Sequence, residues 1–310
     1  MKKTGIRIIW TFHNKVQHNS DNKEESLRNI SYMIHISDTI IIHSRESMKV
    51  LERYVKDIDK EKVTYIPHMN YIGCYESYIG DVRELLKIPK ERFVVGFLGL
   101  ITPYKQIELL VRYFKEHKEV NATLLIAGRC FGKQYLKELE DLIRNEGNIV
   151  FWEGFINNLA MGSFLSAVDI LALPYDTVSS MNSGSMMMAF SYKRTVVIPE
   201  IEAVKEFPAE LLYSYKYKDG SDHYSNLEKA LDSASKIAID EFISQLFNNN
   251  IEIFNLEVFL ENISKFNEMI QEEFLSFIIE YLINNFVETE NKKEKNTNDE
   301  KIEYLIINDL

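Results

Sequence analysis

The chain has 310 residues, of which 45% are hydrophobic and 12% are aromatic, so it can bury a sizeable core and divide into two domains. Lysine and arginine number 36 against 47 acidic residues, and the formal charge of −11 argues against broad electrostatic binding to nucleic acid or anionic lipid. Two cysteines without metal-ligand spacing argue against a disulfide scaffold and indicate a reducing compartment.

The beginning of the chain predicts a small α/β block. Short β-branched runs alternate with amphipathic segments, which is the pattern of βαβ units and a parallel sheet. We predict strands at 6–10, 39–42 and 63–66, with helices at 24–36 and 46–55. The segment 68–92 then mixes glycine, tyrosine and polar residues, so we expect it to connect two domains and to contain one short helix.

This first block has fewer strands than a complete doubly wound domain, which usually has five or six. Its first strand ends in Thr11-Phe12-His13-Asn14, and an open α/β sheet presents polar groups to a ligand at such strand ends. A strand of this kind is normally central. Because almost nothing precedes it, we expect another segment or a partner chain to cover its free edge. The N-terminal domain is therefore predicted to be incomplete.

From residue 93 onwards the sequence predicts a complete doubly wound domain. The helices of this region carry apolar residues at the i, i+3, i+4, i+7 spacing of a buried face. The predicted strands are 93–98, 123–127, 148–151, 169–173 and 195–198. The domain boundaries follow from this pattern: a partial N-terminal domain and linker at 1–89, a second domain at 90–225, C-terminal helices at 226–287, and a charged, solvated tail at 288–310.

Two turns of the second domain are candidates for binding an anion. The first follows the strand 93–98, where Gly99 precedes a helix start that carries Lys105 in its first turn. A lone lysine in such a turn is usually only solvated. The second is Asn182-Ser183-Gly184-Ser185, directly before an apolar helical run. Serine and asparagine cap helices, but this run also leaves free N–H groups and about half a positive charge facing an anion, which suits a diphosphate.

Several other chemistries lack their motifs. The sequence contains no G-x-x-x-x-G-K-[ST], G-x-G-x-x-G, H-E-x-x-H or C-x-x-C. The histidines are too scattered to predict a metal site. We therefore expect no metal and no resident cofactor. The apolar run near the N-terminus lacks a small-residue cleavage site, which favours the cytoplasm over secretion.

Taken in order, these stretches resemble glycosyltransferase family 4, the nucleotide-sugar-dependent retaining enzymes of GT-B fold. The resembling pieces are WTFHN, YIPHMNYIGCY, VVGFLGLITPYKQIELLVRYF, LLIAGR, FWEGFI and AVDILALPYD…NSGSMMMAFSYKRTVVIPE. The resemblance implies an α/β, GT-B-like fold: two Rossmann-like, doubly wound parallel-sheet domains, the N-terminal one incomplete, plus C-terminal helices.

The resemblance also implies roles for particular residues. His13 would reach the transferred sugar and Lys105 would contact the donor phosphates, so these two are the candidate catalytic residues. The helix N-terminus would receive the distal phosphate, and the backbone of the EGFI loop would read the base. The implied donor-binding residues are Gly99, Ile156, Asn182, Ser183, Gly184 and Ser185.

Three positions depart from the family pattern. Ser180 and Met188 stand where many members carry a pair of glutamates, of which the second binds the ribose. Leu100 stands where some members have a phosphate-binding arginine. The first strands and the glycine-rich loop of the family, which help to bind the acceptor, have no counterpart here.

The implied activity is transfer of a sugar from a UDP- or GDP-sugar to a glycan or lipid-linked acceptor, with retention, in surface polysaccharide or glycolipid biosynthesis. The acceptor would bring the enzyme into peripheral contact with the inner face of the membrane. Two alternatives stay open. One is a truncated, inactive glycosyltransferase-like protein that binds a nucleotide sugar or a partner chain. The other is a sugar-nucleotide epimerase, which the lack of paired carboxylates near the expected cleft disfavours because proton abstraction needs placed bases.

Overall fold

The computed structural model describes residues 7–16, 23–77, 79–234 and 305–307. The chain divides into two compact units. The first comprises Met1–His13, Asn22–Pro67 and Asn255–Leu310, and the second comprises Asn14–Asp21 and His68–Phe254. Most of the predicted C-terminal helices and charged tail therefore fall on 235–304, outside the described residues.

The first unit is built on a parallel sheet. Its strands are β1 (Ile8–Thr11), β2 (Thr39–Ile42) and β3 (Val63–Tyr65), in that spatial order. Helix α1 (Lys23–Ile36) connects β1 to β2, and α2 (Ser47–Tyr54) lies between β2 and β3. The strands and helices predicted from the sequence are confirmed here, with ends that shift by one or two residues.

The free edge of β1 is covered by the chain itself. A strand at Leu305–Ile307 pairs with β1 in parallel register, Ile8 opposite Leu305. The sequence placed these residues in a charged tail and missed the strand, because three apolar residues among polar neighbours carry no clear strand period. Pairing here satisfies backbone groups that an edge strand would otherwise present to solvent or to another chain.

The second unit has a six-stranded parallel sheet in the order β6-β5-β4-β7-β8-β9. Its strands are β4 (Phe93–Leu98), β5 (Ala122–Gly128), β6 (Ile149–Glu153), β7 (Ile170–Ala172), β8 (Thr195–Pro199) and β9 (Tyr213–Tyr215). Counted within the unit, this is the 3-2-1-4-5-6 order of a Rossmann domain. The five strands predicted from the sequence are confirmed, and β9 was missed because its three residues lack a β-branched run.

Helices pack around the sheet of the second unit, which explains why its central strands are largely apolar and buried. They are α3 (Val82–Leu85), α4 (Ile107–Glu116), α5 (Lys133–Ile143), α6 (Asn158–Ala167), α7 (Gly184–Ser191) and α8 (Gly220–Ala234). All seven residues of β5 are buried, as expected of a parallel strand with both faces covered. The predicted apolar face of α4 is confirmed, since Ile107, Leu110, Val111 and Phe114 are buried.

The connecting segment packs against the second unit. Its predicted short helix is α3, and the backbone N–H of Tyr71 donates to the Ser191 hydroxyl of α7 at 2.8 Å. The Tyr75 N–H donates to the Tyr192 hydroxyl at 2.6 Å, and that hydroxyl donates back to the Tyr75 carbonyl at 2.9 Å. These bonds fasten the segment to the C-terminal end of α7.

Arg83 is expected to be a stabilising residue of the second unit. Its side chain, 16% exposed, pairs with Asp169 at 2.8 Å and donates to the Ala167 carbonyl at 2.7 Å. Arg83→Met should lower the free energy of unfolding by about 2–3 kcal/mol, since each hydrogen bond to a charged group is worth about 1.5–3 kcal/mol and solvent screens part of it. Denaturant unfolding measures the change.

The matched control for that substitution is Arg112→Met. Arg112 also pairs with a carboxylate, Glu116, but its side chain is 55% exposed and the pair spans one helical turn. Solvent screens such surface pairs, so this variant should lose much less stability than Arg83→Met. Equal losses in the two variants would show that the Arg83 network does not hold α3 to the sheet.

Candidate active site

The strand order of the second unit marks where a ligand would bind. The order reverses between β4 and β7, which are neighbours in the sheet but not in the sequence. In open α/β sheets, ligands bind outside the carboxyl ends of the strands at this switch point. Gly99 directly follows β4 and Tyr175 lies just beyond β7, so both stand at that position.

Two glycines bring the ends of β4 and β5 together. The Gly99 N–H donates to the Ala127 carbonyl at 3.0 Å. Gly99 has φ 127° and Gly128 has φ 152°, in the region that favours glycine. A Cβ on Gly128 would overlap the Gly99 carbonyl. Gly128 is therefore a point of close backbone approach, and this contact sets the path of the chain towards Lys105.

Lys105 is held in place rather than simply solvated. It ends a short 3₁₀ turn, Pro103–Lys105, and its Nζ lies 3.2 Å from the Tyr175 hydroxyl, to which it donates. The same ammonium lies 4.3 Å from the centre of the Tyr175 ring and 5.3 Å from that of Tyr104, within the range of cation–π attraction. Aromatic rings thus surround this cation at the mouth of the sheet.

Hydrogen bonds to the Tyr175 hydroxyl link Lys105 to the N-terminus of α7. Ser183 is the N-cap: its Oγ accepts from the Met186 N–H at 3.1 Å and donates to the Tyr175 hydroxyl at 3.3 Å. Helix geometry leaves the amides of Gly184 and Ser185 without an intrahelical acceptor. Lys105 and the predicted run Asn182-Ser183-Gly184-Ser185 are therefore brought together by the fold.

Gly184 has polar side chains close by. A Cβ at this position would lie 3.2 Å from the Tyr71 hydroxyl and 3.7 Å from the His68 Nε2. The Ser185 hydroxyl lies 3.8 Å from the place where a Cβ on Gly99 would stand. The turn after β4 and the start of α7 consequently approach each other with little side chain between them.

The charges of this cluster are coupled. Burial by itself raises the pKa of Tyr175, but the Lys105 ammonium and hydrogen bonds from Ser183 and Ser185 outweigh it and lower that pKa below the usual value. For Lys105, burial alone would lower the pKa, whereas the hydroxyls of Tyr175 and Tyr104 outweigh it and raise the pKa. Lys105 therefore carries its charge at neutral pH.

The remaining predicted residues are Ile156, Asn182 and His13. Ile156 is buried, 6% exposed, beyond β6 at the same edge of the sheet. Asn182 is 7% exposed and adjoins the N-cap. His13 belongs to the first unit and lies just beyond the carboxyl end of β1. Its ring packs edge-on against the ring of His43, with 6.0 Å between the two ring centroids.

The positions that depart from the family pattern have distinct environments. Met188 is 6% exposed and packs in the core with Met186 and Met187. Ser180 is buried and Leu100 is 50% exposed. Met188 therefore offers no polar group to a ribose.

Tyr175 is the central residue of this cluster, and sequence reasoning missed it. The LPYD stretch contained the signal, since a hydroxyl three residues beyond a switch-point strand lies where ligands bind. His68 and Tyr71 were also missed, because only the fold brings the connecting segment beside Gly184.

The described part of the chain contains neither a metal-binding cluster nor a membrane-spanning helix. Within it, no group of three or more His, Cys, Asp or Glu side chains could hold a metal ion. Nor does any helix among these residues have both the length and the apolar character needed to cross a membrane.

The fold and the site define a Rossmann-like α/β protein with a lysine and a helix N-terminus brought together at a switch point. Residues 92–216 match the family described as Glycosyl transferases group 1. A stretch of 131 residues is 27% identical to a GDP-mannose:glycolipid 4-beta-D-mannosyltransferase of Xanthomonas campestris pv. campestris. That stretch is 42% of this chain and 36% of the relative, so the chain spans little more than a third of the curated relatives it matches.

Solved structures agree with the fold over most of the chain. HepE of Anabaena in complex with UDP matches with a TM-score of 0.63 and 16% identity, covering 84% of this chain and 72% of that one. Sucrose-phosphate synthase of Thermosynechococcus elongatus matches with a TM-score of 0.68 and 18% identity, covering 84% and 67%. The predicted fold class is confirmed: the chain has the GT-B type of fold, with two Rossmann-like units.

Proposed function

We propose that this protein is a glycosyltransferase that moves a sugar from a nucleotide sugar to an acceptor. One observation carries the proposal: Lys105, the N-cap Ser183 and the first amides of α7 converge at the switch point of a Rossmann-like sheet. A pyrophosphoryl group is the ligand chemistry that such a cation and such a helix N-terminus bind together. The match of residues 92–216 to glycosyltransferases supports the same assignment.

The chemistry follows from where charge develops. Breaking a sugar–phosphate bond leaves negative charge on the diphosphate, so donors already aimed at that position stabilise the transition state more than the ground state. Loss of one such donor typically costs about 2.7–4 kcal/mol, or 10²–10³ in rate. Lys105, Gly184 and Ser185 would be the donors in this chain.

The donor and acceptor are proposed by class. The curated relatives are named for GDP-mannose and a glycolipid, and HepE is solved with UDP and with UDP-glucose. We propose a UDP- or GDP-sugar as the donor and a glycan or lipid-linked acceptor, in polysaccharide or glycolipid synthesis at the inner face of the membrane. No resident cofactor enters the proposal. Stereochemical retention is part of the proposal, and the anomer of the isolated product, read by NMR, tests it separately.

A binding and transfer screen tests the proposed function. Calorimetry with UDP-, GDP- and ADP-sugars should reveal one base that binds, and the matching donor should then label a lipid-linked or glycan acceptor. Binding without transfer to any acceptor class would favour an inactive nucleotide-sugar-binding protein, for which the buried Met188 is the supporting observation. Failure of every nucleotide to bind would overturn the proposal.

His13 is expected to act on transfer and not on nucleotide binding. The residue follows β1, where a polar side chain is presented to a site, and it lies in a different unit from the phosphate donors. His13→Ala should lower the transfer rate by about 10²-fold, the lower range for a positioned polar group, and leave the Kd of the nucleotide unchanged. Steady-state kinetics and calorimetry measure the two effects.

His35→Ala is the matched control in the same unit. His35 is exposed on α1, and its Nδ1 lies 2.6 Å from the Ser31 carbonyl oxygen. This variant should keep both transfer and binding. Equal losses of binding and transfer in His13→Ala would remove His13 from the chemistry.

A further inference from the structure

Tyr175 occupies the centre of the proposed phosphate site. Its side chain is buried, at 2% exposure, just beyond β7. Its hydroxyl oxygen accepts a hydrogen bond of 3.2 Å from Lys105 Nζ, in the turn after β4. It accepts a second bond of 3.3 Å from Ser183 Oγ, at the start of α7. Two elements that are far apart in sequence therefore aim polar groups at one phenolic oxygen.

The direction of these bonds is fixed by the chemistry of the donors. A lysine ammonium can only donate. The Ser183 Oγ already accepts the Met186 N–H, so its own proton is available for the Tyr175 oxygen. The phenolic oxygen therefore accepts from both groups, an arrangement that protein sites otherwise provide for an anionic oxygen.

We propose that the Tyr175 hydroxyl is a positioning group of the diphosphate site, and this inference rests on the proposed function. It holds the Lys105 ammonium and the Ser183 hydroxyl at one point before the donor binds. A phosphate oxygen that arrives at the mouth of the sheet then meets donors whose geometry is already set. Without the hydroxyl, the long lysine side chain becomes ordered only when the ligand binds. The entropy lost in ordering it then weakens binding.

The same arrangement predicts a dependence of binding on pH. Six groups face or flank Tyr175 from the packed elements and the adjoining chain: Lys105, Tyr104, Ser183, Ser185, Tyr217 and Asp176. Burial raises the pKa of Tyr104 and of Tyr217 above the usual value. The ring of His223, which stacks on Tyr217, is held by burial at a pKa of about 4. Among the tyrosines of this cluster, Tyr175 is the one whose pKa is lowered.

The sign of the effect follows from the charge that forms. As the pH rises through the lowered pKa of Tyr175, a phenolate appears beside Lys105, neutralises it and repels an incoming diphosphate. Nucleotide affinity should therefore fall on the alkaline side, below the ordinary tyrosine pKa of about 10. In Tyr175→Phe the phenolate cannot form, and the contribution of Tyr175 that raises the pKa of Lys105 is lost with it, so any alkaline fall that remains reports Lys105 and not residue 175.

Calorimetry with GDP, UDP and inorganic pyrophosphate tests the inference on the full chain. Tyr175→Phe should weaken the tightest-binding probe about 10-fold, the size expected for one hydrogen bond to a charged group. Tyr113→Phe is the matched control: Tyr113 lies on α4, away from the site, is as buried as Tyr175, and donates from its hydroxyl to Asp232 of α8 at 2.7 Å. This control should lose stability and keep its affinity.

The outcomes separate the inference from the function on which it rests. Wild-type binding with unchanged or tighter binding in Tyr175→Phe would overturn the positioning role and leave the proposed function standing. Absence of binding to all three probes in the wild type would overturn the proposed function itself. If Tyr175→Phe does not fold, the wild-type pH profile decides: affinity that stays level up to the ordinary tyrosine pKa would overturn the inference.

Discussion

Lys105→Met is expected to weaken binding of the nucleotide diphosphate roughly 10- to 100-fold. The substitution keeps the length of the side chain but removes a charged donor held at 3.2 Å from Tyr175 and placed before the N-terminus of α7. Hydrogen bonds to charged groups are worth about 1.5–3 kcal/mol, which corresponds to that range of affinity. Transfer should fall by more, about 10²–10³-fold, because the same donor meets additional charge in the transition state.

The control for this prediction is Lys137→Met. Lys137 is exposed on α5, so its removal changes the net charge equally without touching the site. Calorimetry on both variants and the wild type gives the comparison. Equal affinity of Lys105→Met and the wild type would place the diphosphate somewhere other than the switch point.

Gly128→Ala is expected to damage both stability and binding. The new Cβ would overlap the Gly99 carbonyl, and φ 152° is itself strained for alanine. Backbone strain of this kind costs about 1–3 kcal/mol, and relief of the overlap must shift the turn that leads to Lys105. Thermal unfolding should show a Tm lower by about 2–4 °C for each kcal/mol lost, and nucleotide affinity should fall as well.

Gly132→Ala is the control that separates the effect of backbone strain from the effect of steric overlap. Gly132 has φ 100°, but a Cβ there would meet nothing within 4 Å. This variant should therefore lose some stability from strain alone and keep its affinity for the nucleotide. A Gly128→Ala protein with wild-type affinity would show that the contact between β4 and β5 does not shape the site.

Much of the fold could be predicted because its signals are local. The strands β2 and β4 were predicted with the bounds that the structure gives, since each is a short apolar run between turn residues. The strands β9 and Leu305–Ile307 were missed, because β9 lacks a β-branched run and Leu305–Ile307 follows a charged stretch that predicts a solvated tail.

The candidate site was predictable only in part. The sequence shows Lys105 as a cation in a turn, and it shows the residues before α7 as a helix cap. Their convergence on Tyr175 depends on the strand order, because β4 and β7 become neighbours only through the crossover of the sheet. The positions of His68 and Tyr71 beside Gly184 likewise follow from packing that no sequence window contains.

The position of a bound diphosphate tests the central claim most directly. A crystal structure of the protein with GDP or UDP, whichever binds, should show phosphate oxygens within about 2.7–3.2 Å of Lys105 Nζ and of the Gly184 and Ser185 amides. A nucleotide whose phosphates lie away from the start of α7, with Lys105 bound to Tyr175 alone, would contradict the account.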